Sequence, residues 1–302
     1  MKQVKRKRSA EITAWLLVLP ALGLFVVFFL GPALIGVVLS FHDWDGLSSS
    51  MNFVGFDNYA RLLSTERFWD TLGINWIVVF ASIFLQIPLA LALALALTKK
   101  TSFSSFYRSA IFAPQMLSVA AVAVMWTLLF NPYQGMINGL LTPISKWLGF
   151  GEVTIAWLGQ NETALASALL ATTWYSFGLT MILFMAGLGA IPPEYYDAAR
   201  IETNSWFDTL RYVTLPLLRE IMLIIFVLIF SGSFGHLIGF FLLLTGGGPA
   251  GRTELLGIYM YKSGFRAYQF GYASALSVAL VLIVLIFVTP PALRIARERL
   301  EY

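Results

Sequence analysis

The chain has 302 residues, of which 58% are hydrophobic and only 12% are charged, and its mean hydropathy is +0.77. Soluble domains are about half apolar and about a quarter charged, so this composition indicates a lipid bilayer as the solvent. With no cysteine and only two histidines, His42 and His236, the chain offers no disulfide framework and little for a metal centre. The net charge of +4 lies in short clusters between apolar runs, which is typical of membrane orientation and not of nucleic-acid binding.

Six apolar stretches are each long enough to cross a bilayer, because a layer of about 30 Å needs about 20 helical residues. They are residues 14–39, 72–97, 110–130, 164–188, 221–244 and 272–293. We therefore predict an all-α, polytopic membrane protein with six transmembrane helices. Its domain of residues 14–293 has a basic tail, residues 1–13, before it and a tail, residues 294–302, after it. The first stretch is much longer than the apolar core of a signal peptide, so we expect a retained helix.

The basic residues are distributed unevenly between alternate loops. One side carries Lys2, Lys5, Arg6, Lys7, Arg8, Lys99, Lys100, Arg108, Arg200, Arg211, Arg219, Arg294, Arg297 and Arg299. The other side carries the smaller set Arg61, Arg67, Lys146, Arg252, Lys262 and Arg266. Cytoplasmic loops are enriched in Lys and Arg, so both termini are predicted to lie in the cytoplasm.

The polar segment 189–219, between the fourth and fifth spans, predicts two short helices. Pro193 suits a first helical turn, because its missing N–H has no partner there in any case. Ser205 and Asp208 have the spacing of a capping box, so a second helix begins after a break near Thr203 and Asn204. Pro216 marks its end.

One face of the first loop helix carries small residues in its middle. Tyr195, Ala198, Ala199 and Glu202 fall at i, i+3, i+4 and i+7 and so share that face. Two interpretations follow from spacing alone: the helix lies on the membrane surface, or this face enters a groove on a partner.

The same segment resembles the EAA loop in the membrane subunits of bacterial binding-protein-dependent ATP-binding-cassette importers. The family pattern is Glu-Ala-Ala, two residues, Asp-Gly-Ala and, later, Leu-Pro. Here it stands as Asp197-Ala198-Ala199, Glu202-Thr203-Asn204 and Leu215-Pro216. Thr203 occupies the glycine position, where a β-branched residue is poor if the backbone needs a positive φ. Asn204 is then the candidate for the turn.

Further motifs resemble the sugar-permease branch of that family along nearly the whole chain. They are Ser40-Phe41, Asp43-Trp44-Asp45-Gly46, Asn52-Phe53-Val54-Gly55-Phe56-Asp57-Asn58-Tyr59, Thr245-Gly246-Gly247-Gly248-Pro249 and Gly271-Tyr272-Ala273-Ser274-Ala275-Leu276-Ser277. Their order and spacing around six spans make the combined resemblance specific.

The resemblance implies that the loop couples the membrane bundle to an ATPase. The residues implied are Glu194, Tyr195, Asp197, Ala198, Ala199, Glu202, Thr203, Asn204 and Asp208. The expected partners are two cytoplasmic ATPase subunits that hold ATP and Mg, a second permease and an extracytoplasmic sugar-binding protein in a bacterial inner membrane. The chain itself is expected to bind no cofactor, metal or nucleic acid and to catalyse no reaction. The sequence leaves open the sugar and whether the second permease is a different chain, as the family leads us to expect.

Two further groups of residues are candidates for the transport path. Polar or aromatic residues deep in the spans could contact a sugar, with helix packing as the alternative: Gln86, Gln115, Trp174, Tyr175, Ser231, Ser233 and His236. The loop Gly246, Gly247, Gly248 and Pro249 is expected to be a flexible outer gate or a docking surface. Its near match to a phosphate-binding loop has Arg252 in place of the lysine and is predicted to lie on the outer side, which disfavours nucleotide binding there.

The main alternative is a self-contained, ion-coupled carrier, and a membrane enzyme is a third class. A carrier predicts a charged residue in the middle of the membrane, and an enzyme predicts a polar cluster at one interface. The interiors of the predicted spans contain no Asp, Glu, Lys or Arg, which disfavours both. Gly235 and Gly239, a Gly-x-x-x-Gly pair in the fifth span, predict a close helix approach.

Overall fold

The computed structural model describes residues 15–98, 104–203 and 205–298. Its helices are α1 (Trp15–Leu39), α2 (Asp57–Ser64), α3 (Glu66–Thr98), α4 (Ser104–Met116), α5 (Val119–Leu129), α6 (Met136–Trp147), α7 (Ala164–Ala190), α8 (Pro193–Glu202), α9 (Trp206–Leu217), α10 (Arg219–Phe234), α11 (Leu237–Leu244), α12 (Leu256–Tyr261) and α13 (Phe270–Glu298). Two short strands, β1 (His42–Asp43) and β2 (Asn52–Phe53), pair antiparallel with His42 opposite Phe53. The all-α prediction is confirmed. The predicted basic tail, Lys99, Lys100, Asn204 and Arg299 lie outside the described residues.

Within the described residues, four continuous helices are long and apolar enough to cross a membrane: α1, α3, α7 and Phe270–Ala296 of α13. The number rises to six if each of two bent helix pairs counts as one span. The pairs are α4 with α5, bent by 99°, and α9 with α10, bent by 68°. The prediction of six transmembrane helices agrees with the larger number.

The third predicted span bends because the sequence both ends α4 and starts α5 inside it. Pro114 lies in the last turn of α4, where its ring removes one backbone donor. Ser118 then caps α5: its ψ is 143°, and its Oγ accepts a hydrogen bond from the Ala121 N–H at 3.2 Å. A side-chain cap in the middle of an apolar stretch is what separates the two helices.

The fifth predicted span is interrupted at Gly235, which separates α10 from α11. Glycine has a low helix propensity, and Gly232 and Gly235 fall within one turn of each other. The His236 ring packs where a side chain on Gly232 would be, with Cε1 at 2.7 Å from that position. The Gly235 and Gly239 pair thus does not form the predicted packing face, since a helix break lies at its first member.

One compact unit contains the described part of Met1–Thr65 together with Met260–Ala279. Its strand pair is anchored by Asn58, whose Nδ2 donates to the carbonyl oxygens of Ser40 and His42, each at 2.9 Å. The Arg61 guanidinium lies 4.3 Å above the Tyr272 ring. These contacts fix the loop after α1 to the start of α13.

A turn in the same unit depends on Asp45. Its Oδ1 accepts hydrogen bonds from the N–H groups of Ser48, at 2.7 Å, and Leu47, at 2.9 Å, and from the Ser48 hydroxyl at 2.8 Å. These bonds, first of all those from the two backbone N–H groups, hold the pKa of Asp45 below its usual value.

The other unit, Glu66–Tyr259 with the described part of Leu280–Tyr302, contains most of the buried apolar residues. One cluster surrounds Phe240 and Phe241, and another surrounds Phe184 and Leu218. At Gly178, α7 passes so close to α4 that an added Cβ would lie 2.5 Å from the Ile111 carbonyl oxygen. Close packing of this kind positions the polar side chains described next.

Candidate functional site

A cavity of about 250 Å³ lies among α3, α4, α7 and α10, within the predicted spans. Its polar lining consists of Ser82, Gln86, Gln115, Ser176, Thr180, Ser231, Ser233 and His236, and Leu, Ile and Gly residues complete the wall. Five of the seven residues predicted for a substrate path therefore share one cavity. None of the described residues that line it is Asp, Glu, Lys or Arg.

Gln86 is held in place by α7. Its Nε2 donates to the Thr180 hydroxyl at 2.6 Å, and its Oε1 accepts from the Ser176 hydroxyl at 3.1 Å. Gln86 ends a π-helical turn, Ser82–Gln86, within α3. Such single turns occur frequently at functional sites, because they change the direction of side chains along a helix.

Gln115 differs from Gln86 in its hydrogen bonding. Its Oε1 is enclosed yet accepts no hydrogen bond from any described residue. A buried amide oxygen is usually paired, because leaving it unpaired costs about 1 to 3 kcal/mol. Its place in the cavity wall makes Gln115 the best candidate for a contact with a ligand.

The α10 wall of the cavity is fixed from behind by Asn75. The Asn75 Nδ2 donates to the Ser233 carbonyl oxygen at 3.0 Å, and its Oδ1 accepts from the Leu256 N–H at 2.7 Å. The Ser233 hydroxyl donates to the Ile229 carbonyl oxygen at 2.9 Å. Asn75 is fully buried and thereby joins α3, α10 and the start of α12.

Trp174 and Tyr175 do not line this cavity. Tyr175 is buried against Phe240, with ring centroids 5.8 Å apart, and Trp174 packs edge-on against Trp126 at 5.7 Å. For these two residues the structure therefore agrees with helix packing, the alternative to a contact with the sugar.

Sequence reasoning missed Ser82, Ser176 and Thr180. A signal for them was present: Ser82 precedes Gln86 by four residues, and Ser176 precedes Thr180 by four. Residues four apart share a helix face, so paired polar residues at this spacing in an apolar helix indicate a polar surface inside the bundle.

The predicted loop helices are both present, as α8 and α9. Pro193 begins α8, and the Ser205 hydroxyl accepts from the Asp208 N–H at 3.2 Å at the start of α9, which ends one residue after Pro216. Among the coupling residues, Glu194, Tyr195, Asp197, Ala198 and Glu202 are exposed, whereas Asn204 lies outside the described residues.

Thr203 closes the turn between α8 and α9 with its side chain. Its hydroxyl donates to Asp208 Oδ2 at 3.2 Å and accepts from the Ser205 N–H at 3.1 Å. Its φ is −145° and its ψ is 140°, an extended conformation that suits a β-branched residue. The glycine position of the family pattern therefore needs no positive φ in this chain.

Ala199 does not share an open face with its neighbours, so the predicted groove-facing surface is wrong for this residue. It is only 6% exposed, in a helix that contacts α9. The outward face of α8 instead carries Glu194, Asp197, Ala198 and Ile201, and Ile201 is 88% exposed. The helical spacing of the residues after Pro193 predicts which side chains share a face, but it does not predict which face packs against the rest of the protein.

The glycine-rich loop after α11 is held by two threonines. The hydroxyls of Thr245 and Thr253 are 2.7 Å apart, and Thr253 also donates to the Gly248 carbonyl oxygen at 2.6 Å. Gly246 and Gly247 have φ values of 62° and 86°, which glycine adopts readily. The loop follows a helix, not the strand of a phosphate-binding loop, and its internal hydrogen bonds argue against the expected flexibility.

Comparison with known proteins places these features in a family. Residues 86–301 match the family described as the binding-protein-dependent transport system inner membrane component. The probable ABC transporter permease protein YurN of Bacillus subtilis is 32% identical over 91% of this chain and 93% of its own length. The multiple sugar-binding transport system permease protein MsmF of Streptococcus mutans is 30% identical over 92% of this chain and 93% of its own.

A solved structure has the same fold. It is a bacterial alginate ABC transporter in complex with an alginate pentasaccharide-bound periplasmic protein. One of its chains aligns with a TM-score of 0.79 and 20% identity, over 96% of this chain and 94% of that one. The all-helical membrane fold and the family match agree, and the chain belongs to the family of binding-protein-dependent transport system inner membrane components.

Proposed function

We propose that this chain is a permease subunit of an ATP-binding-cassette importer that moves a carbohydrate across a bacterial inner membrane. The observation that carries the proposal is the cavity, in which uncharged hydrogen-bonding side chains are collected inside apolar helices. Hydroxyl groups of a sugar both donate and accept hydrogen bonds, and uncharged polar side chains can supply the partners for both. The sugar-transport relative MsmF supports the same substrate class.

The chemistry of the cavity favours a neutral sugar over a polyol phosphate. A phosphate group is best bound by Arg or Lys, which form charge-assisted hydrogen bonds to its oxygens. No described residue in the lining is of either type, whereas Gln115 offers an enclosed oxygen that could accept a hydrogen bond from a sugar hydroxyl.

We assign the loop of α8 and α9 to contact with a separate ATPase subunit, as the resemblance implies. The exposed face with Ile201 supports this assignment. When a partner covers a largely exposed isoleucine on a polar helix, apolar surface is removed from water, which favours binding. ATP and Mg then belong to two ATPase chains. We assign the termini and this loop to the cytoplasm, and we expect the loop of Gly246 to Pro249 to face the binding protein and a second permease chain.

The function is tested by reconstituting the complete complex, with its binding protein, in proteoliposomes. ATP hydrolysis and uptake are measured with a panel of labelled neutral saccharides, polyol phosphates and amino acids. We expect one neutral saccharide to stimulate ATP hydrolysis and to accumulate inside. Uptake that needs an ion gradient and continues without the ATPase subunits would instead establish a self-contained carrier.

The loop assignment is tested by cysteine crosslinking, which the absence of native cysteine makes specific. Ala198→Cys and Ala199→Cys form a matched pair, because these neighbours differ in exposure. We expect a short crosslinker to join Ala198→Cys to the ATPase subunit and to give little product from Ala199→Cys. Equal absence of product from both variants in an assembled, active complex would contradict the assignment.

A further inference from the structure

Helix α6, Met136–Trp147, is amphipathic, but its apolar face is exposed and its polar face points inward. This is the reverse of a surface helix in a water-soluble protein. Met136, Leu140, Ile144 and Trp147 are 59%, 63%, 56% and 84% exposed. They fall at i, i+4, i+8 and i+11 and so form one stripe along the helix, which we call the α6 stripe.

The opposite face of α6 is polar, and Asn138 on it is buried. Asn138 is 3% exposed, and its Nδ2 donates to the carbonyl oxygens of Pro132 and Ile155, each at 2.9 Å. Its Oδ1 accepts from the Trp157 indole N–H at 2.7 Å. Because these three hydrogen bonds satisfy the amide, rotation of the helix to hide the stripe would break them.

A second polar residue fixes the same orientation. The Thr142 hydroxyl donates to the Asn138 carbonyl oxygen at 2.8 Å and accepts from the Val153 N–H at 3.2 Å. A helix exposed to water normally turns its apolar stripe inward and its polar residues outward. The fixed orientation of α6 therefore indicates that a non-aqueous medium covers the stripe.

Short connections hold α6 at the ends of two membrane helices. Before it, the Gly135 N–H donates to the Asn131 carbonyl oxygen at 2.9 Å, within two residues of the end of α5. After it, the Trp157 carbonyl oxygen accepts from the hydroxyls of Thr163, at 2.9 Å, and Ser167, at 3.3 Å, at the start of α7. The helix thus lies between the end of one predicted span and the start of the next, where the apolar part of the spans is expected to meet water.

We propose that α6 is an interfacial helix whose stripe inserts into the lipid bilayer at the level of the headgroups. Its residue types fit that depth: Trp147 is an interfacial aromatic residue, and the adjacent Lys146 stays paired with Glu152 at 2.8 Å on the water side. Apart from the Trp147 indole, the stripe has no hydrogen-bonding side chain. A protein partner that must dissociate in each cycle normally meets a more polar surface.

The proposal is tested with spin labels on the cysteine-free chain, in the assembled transporter in nanodiscs. Leu140→Cys and Ile144→Cys are compared with Leu282→Cys, a 52% exposed position in α13, as the lipid control. Glu152→Cys, whose side chain is 71% exposed, is the water control. Collision rates with oxygen, which partitions into lipid, and with a water-soluble nickel chelate are measured by electron paramagnetic resonance.

We expect the ratio of oxygen to nickel collisions at Leu140 and Ile144 to match that of Leu282 and to exceed that of Glu152 several-fold. A ratio like that of Glu152 would show a stripe in water and overturn the proposal. Low collision rates with both reagents would show a stripe covered by the second permease or the binding protein and would also overturn it. Quenching of Trp147 by brominated lipid, taken as the difference from Trp147→Phe, gives an independent reading without a label.

Discussion

The guanidinium of Arg67 forms two hydrogen bonds with the buried carboxylate of Glu254, from Nε to Oε2 at 2.8 Å and from Nη2 to Oε1 at 2.9 Å. The Arg67 side chain is 51% exposed, whereas that of Glu254 is only 3% exposed. The same guanidinium lies 4.7 Å above the Tyr259 ring. The pair therefore attaches the start of α3 to the segment that follows the glycine-rich loop.

The unequal burial of this pair predicts unequal effects of mutation. Arg67→Gln removes the charge that offsets a buried carboxylate, and we expect a loss of stability on the order of 3 kcal/mol. Glu254→Gln leaves a half-exposed arginine that water can solvate, so its effect should be smaller. Denaturant unfolding of the purified chain in detergent micelles measures both. A larger loss for Glu254→Gln would contradict the role of burial.

Mutations of the two cavity glutamines should distinguish a residue that contacts the substrate from one that holds helices together. Gln86→Leu removes three hydrogen bonds with α7, and a typical bond contributes about 1 kcal/mol, so both stability and uptake should fall. Gln115→Leu should reduce uptake while leaving stability unchanged or slightly higher, because no described residue donates to its Oε1. Uptake assays and unfolding are compared for the two variants. Normal uptake by Gln115→Leu would exclude it as a substrate contact.

The turn between the loop helices depends on the Thr203 hydroxyl. Thr203→Val keeps the shape and the extended backbone preference but loses both hydrogen bonds, and we expect uncoupled or reduced ATP hydrolysis in the assembled complex. Thr203→Ser keeps the hydroxyl and is the matched control, expected to remain close to wild type. If both variants behave alike, the hydroxyl does not organise the loop.

Adjacent glycines in the loop after α11 give another matched comparison. Alanine at Gly246 or Gly247 is strained by a positive φ, at a cost of about 1 to 2 kcal/mol, and should impair uptake. Gly248→Ala meets only the Thr245 carbonyl oxygen at 3.4 Å and has no such strain. ATP affinity of the complex should be unchanged in all three variants. A loss of nucleotide binding would point to a phosphate-binding role.

The turn at Asp45 should be insensitive to pH over the neutral range. Because folding lowers the pKa of Asp45 from its usual value of 3.8, the turn is stabilised at every pH above that value. The stabilisation is lost only as the pH falls through the lower, folded value. Hydrogen exchange at the Leu47 and Ser48 amides, corrected for intrinsic rates, should show protection that fails only in strong acid. Asp45→Asn is the control and should show no such transition.

Local signals in the sequence predicted local structure well. Pro193 and Ser205 marked the starts of the two loop helices, because a first-turn proline and a side-chain cap act within a few residues. Polar residues in apolar spans also predicted much of the cavity. The break at Ser118 rests on local signals of the same kind, Pro114 and a side-chain cap. The burial of Ala199 was not predictable in this way, since it depends on how helices pack after they form.

The short connection between the loop and the cavity limits how the two can move. Only Leu218, with φ −82° and ψ 0°, separates α9 from α10, and its side chain is fully buried. Serines 231 and 233 of the cavity wall lie on α10 itself. If the two helices stay intact, the angle between them can change mainly through the two backbone torsions of one residue. Few other backbone torsions between the loop and the cavity can absorb a movement of the loop. A displacement of the loop should therefore reach the cavity wall largely undiminished.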